Sequence, residues 1–191
     1  MIKENLKINP VSVLGIGCYT PETVVTNDDL AKIVDTSDEW IYTRTGIRER
    51  RIVKGNEGAK DLALKASIDA LEFAGIKPEE LDCIVLATST PDNLYPSVAC
   101  ELQAMLGVQD IPAFDLVAAC SGIIYALNVA KSFINSGTYK TVLVVGVDVH
   151  SRFVNWEDRS TCVLFGDGAG ALVLQQSEDG INDILALEMF A

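Results

Sequence analysis

Phe-Asp-Leu-Val-Ala-Ala-Cys-Ser-Gly-Ile-Ile-Tyr-Ala-Leu, residues 114–127, reads as a buried-type strand over 114–119 running directly into an apolar helix over 121–135, with Cys120 at the junction. The same alternation continues outward in both directions. Upstream, strand-length apolar runs at 11–15 and 83–88 are interleaved with helices that begin near Asn27 and Ser37, a helix over 59–74, and a helix over 97–106 ended by Gly107. Acceptors at Asn27-Asp28-Asp29 and Ser37-Asp38-Glu39 stand where helix starts leave N–H groups unpaired, and Gly46, Gly75 and Gly107 stand where helices end. Downstream, 141–147 is apolar on both faces, which requires a sheet covered on both sides. The class is α/β. At the end the pattern changes: 169–175 and 184–188 read as two strands joined by Ser-Glu-Asp-Gly, a hairpin-like close. The chain stops on an apolar run with no polar finish, which reads as half of a larger unit; no linker or repeat divides it.

With 191 residues, 49% apolar and 22% charged, the composition is that of a globular chain with a real core. Fifteen basic against 27 acidic residues leave a net charge of −12, which argues against nucleic acid as a partner. No apolar run is long enough to span a membrane, and the start, Met-Ile-Lys-Glu-Asn-Leu-Lys, has no signal-peptide core. The expected setting is the cytoplasm. Cysteines at 18, 83, 100, 120 and 162, with His150 the one histidine, form neither a disulfide framework nor a metal site.

Cys120 therefore has two readings, a small core hydrophobe or a nucleophile. A helix start at this point aims partial positive charge at the sulfur and favours thiolate over thiol, and Ala118, Ala119, Ser121 and Gly122 leave room for a substrate carbonyl. Gly166-Asp167-Gly168-Ala169-Gly170-Ala171 has the spacing of neither nucleotide fingerprint and is assigned to tight backbone packing; Gly15-Ile16-Gly17 is followed by Pro21 rather than a helix, so no dinucleotide is expected. Residues 36–51 put Trp40 beside Arg44, Arg48, Arg50 and Arg51 in an otherwise acidic chain. That pattern fits either an anionic ligand with a purine ring or a solvated charged turn. Asn155–Thr161 adds Trp156 and Arg159.

Together, Thr-Ser-Asp-Glu-Trp-Ile-Tyr-Thr-Arg-Thr-Gly-Ile-Arg-Glu-Arg-Arg at 36–51, Thr-Pro-Asp-Asn-Leu-Tyr-Pro-Ser-Val-Ala-Cys at 90–100, Phe-Asp-Leu-Val-Ala-Ala-Cys-Ser-Gly at 114–122 and Leu-Phe-Gly-Asp-Gly-Ala-Gly-Ala at 164–171 resemble the β-ketoacyl-acyl carrier protein synthase III family, the initiating condensing enzymes of fatty-acid synthesis. The order and separations fit as well. The resemblance implies a thiolase-like fold, of which residues 1–191 are the N-terminal half in a five-layer αβαβα arrangement that dimerises.

It also implies an acyltransferase in which Cys120 is acylated by acyl-CoA and the thioester condenses with malonyl-acyl carrier protein as carbon dioxide leaves. Thr36, Trp40, Arg44 and Arg159 match positions that hold the CoA nucleotide. Ser89, Phe165 and Tyr95 match the acyl pocket, Tyr95 from the dimer mate. No resident cofactor is implied, CoA thioester being substrate. The family's paired His and Asn lie in the second half, so a C-terminal half on a second segment or chain is expected as partner; His150 falls on the acyl-pocket side and does not replace them. Arg44, Arg48, Arg50, Arg51 and Lys54 form a candidate surface for the acidic carrier protein. Other readings are a noncatalytic half-thiolase interaction subunit, or another CoA-ester condensing enzyme such as a hydroxymethylglutaryl-CoA synthase or a secondary-metabolite priming synthase.

Overall fold

Strand runs that are apolar on both faces must lie inside a sheet, and they do. A computed structural model describes residues 8–190; the Met1–Lys7 stretch read for a signal peptide, and Ala191, lie outside the described residues. Five strands form one mixed sheet: β1 (Val11–Tyr19), β4 (Cys83–Ala87), β5 (Ala113–Leu116), β6 (Thr141–Val149) and β7 (Asp167–Gln176), in the order β1-β7-β6-β4-β5. The β6–β4 and β4–β5 pairs are parallel, and β7 runs antiparallel to both β6 and β1. A second, two-stranded sheet pairs β2 (Thr23–Thr26) with β3 (Glu49–Ile52), elements that the sequence reading did not resolve.

Helices cover both faces of the large sheet. On one side α3 (Ala59–Ala74) and α4 (Val98–Met105) bury Leu62, Ala66, Ala70 and Leu102 against Ile84, Leu86, Leu143 and Val145. On the other, α5 (Gly122–Asn135) buries Ala126, Ala130 and Ile134 against Val85, Val142, Val144 and Leu174. A third cluster, Leu30, Ile41, Cys162 and Val163, holds α1 (Asn27–Leu30), α2 (Asp38–Thr45) and α6 (Arg159–Cys162) beside the two-stranded sheet, with Trp40 and Trp156 packed against it. No helix among the described residues is long and apolar enough to cross a membrane.

Two local expectations need correction. Residues 184–188 form no strand: β7 already has a neighbour on each edge, so a hairpin partner has nowhere to pair. The two residues before it bond to the edge of β1 instead, where Asp183 N–H donates to the Val11 carbonyl and the Asn182 and Asp183 side chains accept from Val11 N–H and Val13 N–H. At the first helix the cap is Thr26 rather than Asn27; Thr26 and Asp29 form a reciprocal capping box, and Asn27 is buried.

Candidate active site

Strand β5 ends at Leu116, and the chain enters a short 3-10 turn, Ala119–Ser121, that leads without a break into α5. Ala119 has a φ of 45°, a left-handed conformation that costs a residue with a Cβ and marks a constrained corner. Cys120 is exposed at that corner. Ser121 makes no side-chain bond to the first turn of α5, whereas Thr26, Ser37, Ser97 and Asp158 each cap their own helix. The leading N–H groups of α5 are thus left without a side-chain acceptor beside the sulfur.

The groove next to Cys120 has a volume of about 610 Å³ and is bordered by Ala87, Ala119, Ile123, Asp148 and the 166–172 strand segment. Its floor follows from strand register. Cys18, Gly170, Gly146 and Ala87 occupy one row across β1, β7, β6 and β4, so they share a face. That face is the one under α5, because a Cβ on Gly122 would lie 3.1 Å from Ala87 Cβ and one on Gly146 would lie 3.2 Å from Ile123 Cδ1. A Cβ on Gly170 would meet only the Gly17 carbonyl, at 3.9 Å. The reading of 166–171 as tight packing therefore holds at Gly166, 3.0 Å from the Arg51 carbonyl, and fails at Gly168 and Gly170, which keep the groove open.

Asp148, unremarked in the sequence, closes one end. Its Oδ1 accepts from Ser89 N–H (2.8 Å) and the Thr90 hydroxyl (3.0 Å), while His150 Nε2 stands 3.7 Å from Oδ2 and the His150 ring lies 4.8 Å from that of Phe165. Ser89 and Phe165 are thereby brought to one end of the groove. Tyr95 is not; it is 86% exposed beside Leu94 on the loop after β4, touching nothing that would place it near Cys120 in its own chain. The signal for Asp148 was present: one carboxylate inside an otherwise apolar strand.

The second cluster forms around Trp40. The guanidinium carbons of Arg44 and Arg159 lie 4.4 and 4.7 Å from its ring centre, Arg159 is held by the Asp35 carbonyl at 2.8 Å, and the buried hydroxyl of Thr36 has no hydrogen-bond partner among the described residues. Residues 36 to 44 and Arg159, 115 or more positions apart in sequence, are one patch. The other arginines separate. Arg48 stacks on Tyr42 and pairs with Asp38, Arg51 pairs with Glu49, and Arg50 is buried, so Arg50 leaves the candidate carrier-protein surface.

Burial sorts the cysteines. Cys83 and Cys162 are buried; burial pushes the Cys83 thiol up to about 11, with Asp82 adding to the rise, and burial likewise raises Cys162. Cys100 is half-buried, while Cys18 is exposed like Cys120.

Over residues 114–191 the chain matches the family described as 3-oxoacyl-[acyl-carrier-protein] synthase III. A β-ketoacyl-[acyl-carrier-protein] synthase III from Xylella fastidiosa is 60% identical over 167 residues, which make up 87% of this chain and 52% of that protein. The crystal structure of the Aquifex aeolicus 3-oxoacyl-[acyl-carrier-protein] synthase III, 58% identical, is similar with a TM-score of 0.86 over 88% of this chain and 55% of that one. A priming β-ketosynthase of a polyketide biosynthetic pathway, 39% identical, gives a TM-score of 0.87 over 90% and 52%. The chain spans about half the length of the curated relatives it matches. The thiolase-like α/β fold expected from the resemblance is the fold observed.

Proposed function

We propose that this chain, a homologue of the β-ketoacyl-acyl carrier protein synthase III enzymes, supplies their N-terminal, cysteine-bearing half and accepts an acyl group from acyl-CoA at Cys120. The observation that carries this reading is the placement of one exposed sulfur at a constrained corner, beside the uncapped start of α5 and above a glycine floor. The sulfur attacks the thioester carbonyl, the oxyanion collapses, and CoA leaves as its thiol, giving an acyl-cysteine. The positive end of the α5 dipole at the corner suits the charge that develops on the carbonyl oxygen.

Trp40, Arg44, Arg159 and Thr36 bind the nucleotide end: the indole offers a stacking face, the guanidiniums meet phosphate, and the orphaned hydroxyl offers a hydrogen bond. Ser89 and Phe165 shape the acyl end, and Tyr95 completes it from a second copy in a homodimer. Condensation with malonyl-acyl carrier protein then forms a carbon–carbon bond, releases carbon dioxide and frees Cys120. It uses the histidine and asparagine that the resemblance assigns to the other half, supplied by a second segment or chain, in the cytoplasm. Arg44, Arg48, Arg51 and Lys54 remain the basic surface for the acidic carrier. The likeness to the priming β-ketosynthase supports a second reading, in which the same acyl-cysteine primes a secondary metabolite.

Incubation with radiolabelled acetyl-CoA tests the first step. One acetyl per chain, lost on Cys120→Ser, is expected; label retained at full stoichiometry by that variant contradicts the assignment.

A further inference from the structure

The guanidinium of Arg50 is a buried charge that the proposed chemistry does not use. It is 5% exposed and forms no ion pair among the described residues. A hydrocarbon would fill that place at far lower desolvation cost. What it has instead are three neutral acceptors on two stretches of chain far apart in sequence: Nη1 donates to the Val25 carbonyl on β2 (3.1 Å), and Nη2 donates to Asn27 Oδ1 (2.8 Å) and to the Val163 carbonyl (3.2 Å). Only a planar, multi-donor fork reaches all three; an ammonium is too compact. Burial holds its pKa below the usual guanidinium value.

The acceptors lead to both sides of the Trp40 cluster. Asn27, itself buried, passes the link on, its Nδ2 donating to Asp38 Oδ1 (2.8 Å) and to the Ile47 carbonyl (2.7 Å). Asp38 is the first residue of α2, two before Trp40. Val163 closes α6, whose first residue is Arg159, and the chain then passes β3 at Gly166, where a Cβ would lie 3.1 Å from Arg50 Cβ. One hydrogen-bonded chain thus runs from the helix that carries the indole, through Asn27 and Arg50, to the end of the helix that carries Arg159.

We propose that Arg50, through Asn27, is a positioning residue that fixes the separation of Trp40 and Arg159 and so sets the affinity for the CoA nucleotide. The inference rests on the CoA reading above for its ligand, but not for the linkage. Arg50→Lys keeps the charge and loses the fork. Two measurements test it, with Ile41→Val as a control that thins the same hydrophobic cluster without touching a hydrogen bond. By calorimetry with CoA, Arg50→Lys is expected to weaken binding roughly ten-fold and Ile41→Val less than about two-fold. By hydrogen exchange without ligand, Arg50→Lys is expected to speed exchange in the peptides containing Trp40 and Arg159 together and to leave those of α5 unchanged. Equal losses of affinity in the two variants, or faster exchange confined to β3, overturn the proposal. Wild-type protein that does not bind CoA overturns the functional reading and the affinity clause, and the exchange result then decides the linkage alone.

Discussion

Glycine does opposite work on the two faces of the sheet. On the α3 face Gly15 and Gly17 let a helix touch a strand: a Cβ on Gly17 would lie 2.3 Å from Ala70 N and 2.4 Å from the Ala66 carbonyl. On the α5 face Gly168 and Gly170 line the groove beside Cys120, where an added Cβ would come no nearer than 3.6 Å to Thr20 and Tyr19 at Gly168 and 3.9 Å to Gly17 at Gly170. One face is closed by backbone contact and holds the fold together. The other leaves a groove beside the sulfur at Gly170, while Gly146 in the same row packs under Ile123, so the same residue type marks either packing or access according to what lies over it.

The largest effect expected from this contrast is on the closed face. Gly17→Ala forces helix backbone off the sheet and should cost about 3 kcal/mol or more in denaturant unfolding; a loss within experimental scatter would mean that α3 does not seat as described. Next is the rim between the faces. Buried Asp167 accepts from Val53 N–H, Ser151 N–H and the Ser151 hydroxyl, tying the β3 exit and the turn after β6 to the start of β7. Asp167→Asn keeps the shape but turns one acceptor into a donor, and should destabilise by about 2 kcal/mol.

A smaller, pH-dependent effect belongs to Cys83, in the core under α5. Its thiol is raised from 9.0 to about 11 in the folded chain, so the unfolded chain loses that proton first, and stability present below pH 9 is lost as pH rises toward 11. Urea titrations across that window should show a steeper decline for the wild type than for Cys83→Ala; parallel declines would remove the thiol as the cause. Smallest in stability is Gly170→Val on the open face, expected within about 0.5 kcal/mol of wild type. Its effect should appear in chemistry, as slower acylation by longer acyl-CoA donors relative to acetyl-CoA.

Much of this was legible because the physical signals were local. The 59–74 helix, the Ser37 cap, the glycine stops and the doubly buried β6 all follow from neighbouring residues. Cys120 was legible as the junction of two periodicities. What was missed depends on distant partners. No pattern in 184–188 reports that both edges of β7 are taken by β1 and β6, and nothing around Arg50 reveals that Val163, 113 residues on, turns its carbonyl toward it. Cys18 lay beyond the strand read over 11–15; β1 extends to Tyr19, and its register places Cys18 on the α5 face. Arg44 and Arg159 shared a purpose only through the family resemblance; their meeting at Trp40 is a fact of tertiary structure.

Cys18 provides the internal reference for the central claim, since it is also exposed and lies in the row under α5 but has no helix start beside it. Brief exposure of the native protein to acetyl-CoA, followed by peptide mapping under conditions that preserve thioesters, should place the acetyl group on the 114–127 segment at Cys120 and leave Cys18 free. Acetyl on Cys18 at an equal rate, or on neither thiol in folded protein, would contradict the account.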